Sequence, residues 1–296
     1  DIDPGAVEIA KLRLWLSLVV DEEDIHNIKP LPNLDYKLMC GNSLLGLPDG
    51  VLLNPEKLQE LEERKKTYFD KTNPNEKDEL RKEIKRFFKE LVESARQFAP
   101  NLGEVNFDFR THFSEVFQEK DGFDIVIGNP PYSYRNATED QHKSFYKKKY
   151  QVAEGNFELY KFFIEKSLDL ARQNGFVTLI TSATFLVQSS FKKLRKLLLS
   201  ETNIIELAPL GPGVFADATV DTTILIYKNT SPYQYHSIYV QQPNTPMELY
   251  TSQKQTIQQS RFSSNTKMVF DYKLSDTGAK IVLPQRKMEK WHPCYS

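Results

Sequence analysis

Apolar and polar positions along the chain follow two different periods. Short apolar, β-branched runs bounded by Gly, Pro or Asn predict buried strands. Such runs lie at residues 36–40, 123–127, 176–181, 203–207 and 222–227. Between strands, apolar residues recur at helical spacing, as they do over residues 156–173. Strands that alternate with helices predict an α/β fold with a mainly parallel sheet in three layers, helix on sheet on helix.

Two helical segments lie in the first third of the chain. Asp3 and Pro4 predict a helix start, with an N-cap carboxylate and a proline at the first helical position. Apolar residues then occur on most faces up to Val19, so we expect this helix to pack deeply. Over residues 51–105, charges of both signs nearly balance and apolar residues recur at helical spacing. We predict an inserted antiparallel helical hairpin there, with its charges on a solvated face.

The pattern weakens after Asn229, where the sequence is rich in Gln, Ser, Thr and Pro. We therefore predict one α/β domain over residues 1–229, and we assign residues 230–296 to a linker and the start of a further domain. A length of 296 residues with 40% hydrophobic residues is sufficient for one large core and a smaller piece.

Composition excludes several classes of protein. No apolar stretch approaches 18 residues, so we expect no transmembrane helix and no membrane partner. Two cysteines, Cys40 and Cys294, cannot form a disulfide framework, which predicts a cytoplasmic protein. His292 and Cys294 have no second ligand pair at zinc spacing, so we predict no metal site. A net charge of -1 means that any DNA-binding charge is local, and no feature indicates an obligate protein partner.

The tetrapeptide Asn-Pro-Pro-Tyr at residues 129–132 follows the predicted strand at 123–127. Two consecutive prolines fix φ and remove two backbone donors, so the chain leaves the strand in a stiff, extended loop. Open α/β sheets bind their ligands at the carboxyl ends of strands. An amide oxygen, a proline carbonyl and a tyrosine ring together suit a planar base that carries an amino group. The candidate catalytic residues are therefore Asn129, Pro130, Pro131 and Tyr132.

A basic segment follows this loop, and aromatic residues are interleaved with its charges. The basic residues are Arg135, Lys143, Lys147, Lys148 and Lys149, and the aromatic residues are Tyr134, Phe145, Tyr146 and Tyr150. Such a segment beside a site is typical of contacts with nucleic-acid phosphates. A solvated loop explains the same residues equally well, and the sequence leaves both interpretations open.

Four short motifs, in this order along the chain, resemble those of amino-group DNA methyltransferases. They are Asp1-Ile2-Asp3-Pro4, Gly41-Asn42-Ser43-Leu44, Asn129-Pro130-Pro131-Tyr132 and Val214-Phe215. The chain resembles in particular the N6-adenine methylase portion of type IIG restriction-modification enzymes, in which a helical insertion often precedes the catalytic loop. The resemblance runs from Asp1 to about Lys228. It implies a Rossmann-like class I fold that uses S-adenosylmethionine.

The resemblance also implies roles for individual residues. In this family an acidic residue holds the ribose hydroxyls of S-adenosylmethionine, which implies Asp1, and the next residue, Ile2, packs on the adenine ring of the cofactor. A polar residue after the following strand contacts the adenine amino group; Asn42 stands at this position, where the family often has Asp, and Ser43 lies beside it. Phe215 matches an aromatic residue that packs on the flipped target base.

One part of the family pattern is absent from the sequence. The Gly-rich loop that wraps the methionine part of the cofactor belongs upstream of Asp1. We therefore expect the chain to be an N-terminally truncated portion of a larger enzyme, without the first strand and most of the second. We also expect it to bind S-adenosylmethionine weakly on its own. Strands that end at Cys40 and Gly128 should then not pair with each other.

The activity implied by the resemblance is site-specific methylation of N6 of a flipped adenine in double-stranded DNA, in a restriction-modification or phage-defence system. Such enzymes can be fused to an endonuclease. Two alternatives stay open from the residues. A protein glutamine or an RNA adenine also presents a planar amino group, and a non-catalytic DNA-binding remnant could retain the motifs. The motifs do not encode the recognised DNA sequence.

Overall fold

The computed structural model describes residues 1–20, 34–47, 54–71, 73–95, 107–132, 142–211, 214–215, 220–243 and 245–272. The helices are α1 (Pro4–Val19), α2 (Pro55–Asp70), α3 (Pro74–Ala95), α4 (Phe109–His112), α5 (Ser114–Lys120), α6 (Lys143–Lys149), α7 (Leu159–Leu170), α8 (Lys192–Glu201) and α9 (Gln259–Ser264). The strands are β1 (Phe123–Gly128), β2 (Ala171–Ser182), β3 (Asn203–Gly211), β4 (Thr222–Lys228), β5 (Ser237–Gln241) and β6 (Lys254–Gln258).

Some predictions concern other parts of the chain. Predictions for the following residues lie outside the described part of the chain: Tyr134, Arg135, His292 and Cys294, residues 51–53, 72 and 96–105 of the predicted insertion, and residues 273–296. Among the helices that the structure describes, none has the length and hydropathy needed to cross a membrane.

The strands form one six-stranded sheet in the order β1-β2-β4-β3-β5-β6. β1 runs parallel to β2, and β3 runs parallel to β5. β4 is antiparallel to both β2 and β3, and β6 is antiparallel to β5. The predicted α/β class is confirmed, but the sheet is mixed and not mainly parallel. β4 reverses direction because residues 212–221, which join it to β3, are fewer than the dozen or so that a parallel crossover needs.

One face of the sheet carries the main hydrophobic core. Val177 and Leu179 of β2 and Leu225 and Tyr227 of β4 are fully buried there, under α7 and α8. They alternate along each strand because successive side chains point to opposite faces. On the other face, Ile127 of β1 is 78% exposed. The described residues thus cover one face, and the second helical layer of the predicted arrangement stays a prediction.

The sheet continues beyond Asn229, where a linker was expected. β5 and β6 extend it, and Phe262 and Phe270 are buried in the same core as β2 and β4. The guanidinium of Arg195 in α8 donates a hydrogen bond of 3.0 Å to the Lys267 carbonyl and so ties the returning chain to the core. The linker prediction is therefore wrong for the described residues after Asn229. Its polar sequence is that of short, partly exposed strands, whose alternation is weak.

Residues 36–40 are not the predicted strand. Tyr36 has a φ of 61°, in the left-handed region, and the N–H groups of Lys37 and Leu38 donate to the Leu34 carbonyl in a turn. An extended strand cannot include such a residue. Because these residues form no strand, the expectation about pairing between strands that end at Cys40 and Gly128 does not apply.

The start of α1 is as predicted, but its packing is not. The Asp3 carboxylate accepts hydrogen bonds from the N–H groups of Gly5 and Ala6. Val7 is buried, whereas Leu12 is half-exposed, as are the other apolar residues Ile9, Leu14 and Leu16. The apolar residues of α1 therefore do not pack deeply against the described part of the chain.

The predicted hairpin helices are present as α2 and α3. The Arg81 guanidinium hydrogen-bonds the Tyr68 hydroxyl, and Arg64, one turn earlier in α2, stacks on Phe87, further along α3. The two helices are therefore antiparallel. Their own small core consists of Leu61, Tyr68, Ile84 and Leu91.

Asp35 connects the hairpin to the N-terminal part of the chain. Its carboxylate accepts hydrogen bonds from the Tyr68 hydroxyl, from Arg81 at 3.0 Å and from Lys11 of α1 at 2.9 Å. Burial alone would raise the pKa of Asp35, but these hydrogen bonds outweigh it and lower the pKa to about 2. Asp35 therefore stays ionised and joins α1, α2 and α3.

The two faces of β4 should respond differently to truncation. Leu225→Ala should lower the free energy of unfolding by about 2–5 kcal/mol, because it leaves a cavity in the packed core. Ile226→Ala, the matched control on the partly exposed face, should cost less than half as much. Urea unfolding of both variants would measure this. Equal losses would contradict the assignment of the core to one face.

Candidate active site

Three loops that are distant in sequence meet at the carboxyl edge of the sheet. β1, β2 and β3 point the same way, so the chain segments that follow them emerge together. They bound a cleft of about 670 Å³, within the range of volumes that is usual for ligand pockets. The predicted residues that line this cleft are Asn129, Pro130, Pro131, Tyr132 and Phe215. The structure therefore brings together the tetrapeptide and the predicted base-stacking aromatic residue.

The tetrapeptide begins directly at the end of β1. Gly128 pairs with Leu179 of the neighbouring strand, which fixes the point at which the loop leaves the sheet. Pro130 is buried, whereas Asn129 and Pro131 are exposed. The amide of Asn129 is thus presented to the open cleft from a rigid strand end.

Aromatic rings form the sides of the cleft. Tyr132 lies edge-on to Phe215, with ring centroids 6.4 Å apart, and edge-on to Tyr160, with centroids 6.5 Å apart. The Tyr132 hydroxyl is buried and has no hydrogen-bond partner within the described residues. Burial raises the pKa of Tyr132, so its phenol is neutral.

A cluster of three hydroxyl groups on the cleft lining was not predicted from the sequence. The Thr184 hydroxyl lies 2.9 Å from both the Tyr160 hydroxyl and the Ser182 hydroxyl. Ser182 also accepts a hydrogen bond from the Thr184 N–H and so begins a short helical turn after β2. The signal in the sequence was the hydroxyl residues Ser182 and Thr184, directly after a predicted strand.

Glu158 also lines the cleft and was not predicted. It stands at the N-cap position of α7, but its side chain does not cap the helix. The chain reaches it through Gly155, whose φ is +80° and where a Cβ would lie 2.3 Å from the Ser190 carbonyl oxygen. Burial raises the pKa of Glu158, and the attraction of Lys161 only partly opposes this. No motif in the sequence indicated this residue.

The predicted cofactor-binding segments lie side by side. The Gly41 N–H donates a hydrogen bond of 2.8 Å to the Asp1 carbonyl, and the Cys40 thiol lies 3.5 Å from the Ile2 carbonyl. The Asp1 carboxylate accepts a hydrogen bond from the Asp3 N–H and is exposed. The Ile2 side chain is 71% exposed. A carboxylate and an exposed aliphatic side chain are therefore adjacent to the turn at residues 41–44.

α6 holds that turn in place. The Asn42 side chain accepts a hydrogen bond from the Leu44 N–H and donates one of 3.4 Å to the Tyr146 hydroxyl. The Tyr150 hydroxyl donates one of 2.8 Å to the Leu44 carbonyl. Ser43, between these anchored residues, is half-buried. Tyr146 and Tyr150 of the basic segment thus pack in the core, whereas Lys147 and Lys148 of α6 are exposed.

A second support comes from α4. Gly41 lies against Phe107, since a Cβ on this glycine would be only 2.2 Å from the Phe107 Cβ. The Asp108 carboxylate accepts hydrogen bonds from the Leu47 N–H at 3.1 Å and from the Thr111 N–H. The ring of His112 packs on Phe107 and its Nδ1 lies 3.2 Å from the Asp108 nitrogen. Burial lowers the pKa of His112 to about 4.

Comparison with known proteins identifies a family and several relatives of the chain. The family described as Eco57I restriction-modification methylase matches residues 1–215. RM.MjaORFECS2P of Methanocaldococcus jannaschii is 26% identical, over 78% of this chain and 26% of its own length. The type II restriction enzyme and methyltransferase RM.Eco57I of Escherichia coli is 31% identical, over 40% of this chain and 12% of its own length.

A further relative carries a more specific name. The adenine-specific methyltransferase BrxX of Escherichia coli O9:H4 is 28% identical, over 40% of this chain and 10% of its own length. The chain thus spans about a quarter of the length of the M. jannaschii relative and less of the other two.

The buried imidazole of His112 predicts a pH-dependent stability. The folded state holds His112 neutral down to a pKa of about 4, whereas the unfolded chain takes up the proton near pH 6.5. The unfolded state therefore binds more protons between these values, and stability falls as the pH falls from 6.5 to 4. Replacement of His112 by Gln should reduce the loss between pH 7 and pH 5 by about 2 kcal/mol. Urea unfolding at the two pH values measures it; an equal loss in both proteins would rule out His112 as the cause.

Proposed function

Because the chain belongs to the Eco57I restriction-modification methylase family, we propose that it carries the methyl-transfer site of a DNA methyltransferase that modifies N6 of adenine. One observation carries this proposal: at the carboxyl edge of the sheet, Asn129 and Pro130 share a cleft with the rings of Tyr132 and Phe215. The adenine-specific relative supports adenine as the base. We propose that the catalytic residues lie within residues 1–229, on the sheet that β5 and β6 extend, and that an endonuclease is fused to this part in the whole protein, as the name of RM.Eco57I suggests.

The acceptors in the cleft suit the chemistry of an amino group. The lone pair of adenine N6 delocalises into the ring, which makes the nitrogen a poor nucleophile. When the Asn129 oxygen and the Pro130 carbonyl accept its two hydrogens, the lone pair becomes localised on nitrogen. Both acceptors also stabilise the positive charge that develops on N6 in the transition state. Pro131 keeps the loop rigid, so that this geometry exists before the base binds.

The rings offset the cost of exposing the base. The N6 atom is inaccessible in a stacked duplex, so the adenine must be flipped out at a cost of a few kcal/mol. Stacking on an aromatic side chain is worth about 1–3 kcal/mol per base. Tyr132 and Phe215 both line the cleft, and their rings are the ones that we propose to stack on the extruded base.

S-adenosylmethionine is the proposed methyl donor, and it supplies an activated methyl group on a sulfonium centre. The residues present fit its adenosine end. Asp1 offers exposed carboxylate oxygens to the ribose hydroxyls, and Ile2 offers an exposed aliphatic surface to the adenine ring. Asn42 and Ser43 stand in the adjoining turn, where the amide is already oriented by Leu44. The role of these residues is to orient the donor for in-line transfer.

Double-stranded DNA in the cytoplasm is the proposed partner. α6 packs its Tyr146 ring on Phe157, next to the cleft residue Glu158. The exposed ammonium groups of Lys147 and Lys148 at the end of α6 can therefore contact phosphates beside the cleft.

The primary test is a product analysis. The whole protein would be incubated with double-stranded DNA and S-adenosylmethionine labelled in its methyl group, and the nucleosides would be separated by mass spectrometry. N6-methyladenine is the expected product. Label in RNA or in protein glutamine would show that the substrate is that molecule and not DNA. No label in any acceptor would indicate a non-catalytic DNA-binding role.

Asn129→Ala should lower methyl transfer at least about 100-fold in the whole protein, because the amide stabilises charge that develops in the transition state. DNA binding should be nearly unchanged, since the amide contacts only the group being methylated. Asn156→Ala, an exposed asparagine outside the cleft, is the matched control. Normal turnover by the Asn129 variant would remove this residue from the mechanism.

Phe215→Ala should weaken extrusion of the adenine more than it weakens binding of S-adenosylmethionine. A fluorescent base analogue at the target position would report this as a smaller increase in fluorescence on binding. Phe176→Ala, on the partly exposed face of the sheet, serves as the control. Unaltered fluorescence together with a lowered melting temperature would make Phe215 a packing residue.

A further inference from the structure

Glu158 is the only carboxyl group among the described residues that line the cleft. It shares the cleft with Asn129 and Pro130, the proposed acceptors of the amino group. Other titratable groups on the lining are the phenols of Tyr132 and Tyr160, and burial raises the pKa of both. A carboxylate is therefore the strongest base in the cleft near neutral pH.

The fold makes little structural use of this carboxylate. An N-cap side chain normally accepts a hydrogen bond from the first turn of its helix, but that of Glu158 does not. The nearby ammonium of Lys161 donates to two backbone carbonyls, those of Glu154 at 3.1 Å and Asn156 at 2.6 Å. The carboxyl group of Glu158 is thus half-buried at the cleft without stabilising α7 as a cap.

We propose that the Glu158 carboxylate accepts the proton that leaves adenine N6 during methyl transfer. This inference rests on the proposed function. The N6 lone pair forms the new N–C bond, and the C–S bond of the donor breaks with its electron pair kept by sulfur. N6 then has a positive charge and two hydrogens. After the methyl group has been transferred, one of them leaves its carbonyl acceptor and passes as a proton to a Glu158 oxygen. This leaves a neutral methylamino group and a carboxylic acid that returns its proton to water.

The surroundings of Glu158 favour this task. Burial raises its pKa and so makes the carboxylate a better base than an exposed glutamate, while the positive charge of Lys161 limits the rise. The other polar groups of the cleft are uncharged: the Asn129 amide and the Tyr132 phenol after β1, Ser182 and Thr184 at the end of β2, and the Tyr160 phenol of α7. The Glu158 carboxylate is therefore the counter-charge that the cleft offers to a cationic transition state.

Single-turnover methylation by the whole protein, measured from about pH 5 to pH 9, would test the role of Glu158. Glu158→Gln keeps the shape but cannot take up a proton. It should lower the rate at least about tenfold at high pH, remove the loss of rate at acid pH, and change the KM values for DNA and donor by less than about twofold. Glu158→Asp should retain the acid-side loss. Glu154→Gln, an exposed glutamate paired with Lys193, is the matched control and should behave as the unchanged protein.

Each outcome decides the inference. An unaltered rate and pH profile in Glu158→Gln would overturn it while adenine methylation stands. A raised KM with an unaltered pH profile would also overturn it, since Glu158 would then only bind substrate. If circular dichroism shows that Glu158→Gln does not fold, the Asp variant decides: a retained acid-side loss supports the inference, and its absence overturns it. No N6-methyladenine from the unchanged protein would overturn both the proposed function and this inference.

Discussion

The common direction of β1, β2 and β3 is the constraint on which the candidate site depends. Strands that run the same way end at the same edge, so residues far apart in sequence become neighbours. β4 adds to this because it returns antiparallel, and the short segment before it must stay at that edge. Asn129, Ser182 and Phe215 therefore meet in one cleft although each follows or precedes a different strand.

The two halves of the proposed site have separate supports. The cleft rests on the core beneath β2 and β4, in which Leu179 and Leu225 are fully buried. The turn at residues 41–44 rests instead on the hydroxyls of Tyr146 in α6 and of Tyr150 directly after it, and the Asp108 carboxylate holds Leu47 after the turn. These are polar and directional contacts. Hydrogen bonds of this kind fix position more than they add stability. Changes in the polar supports should therefore displace the turn and leave the cleft intact.

Local sequence patterns predicted the helices and strands better than the long-range contacts between them. The strands at β1 to β4, the start of α1 at Asp3 and the helices α2 and α3 were predicted because periodicity and caps are local signals. The strand predicted at residues 36–40 is absent, because Tyr36 has a left-handed backbone and packs on the rings of Tyr68 and Phe69. β5 and β6 were missed because β5 is placed by its long-range pairing with β3, and β6 by its pairing with β5. The cleft residues that belong to sequence motifs were predicted. Glu158 and the three hydroxyl groups belong to no such motif, and only the fold shows that they line the cleft.

The charges of the cleft fit a reaction in which positive charge moves from sulfur to nitrogen. Neutral acceptors such as the Asn129 amide can stabilise such a charge without being protonated themselves, and so they act at any pH at which the protein is folded. A carboxylate such as Glu158 acts only when it is ionised, and it therefore gives the reaction a dependence on pH that the amide cannot give. The exposed lysines of α6 lie outside the cleft lining, where they can attract phosphates without opposing the cationic transition state. In the proposed function, cationic lysines thus bind the polyanion, whereas neutral and anionic groups act at the base.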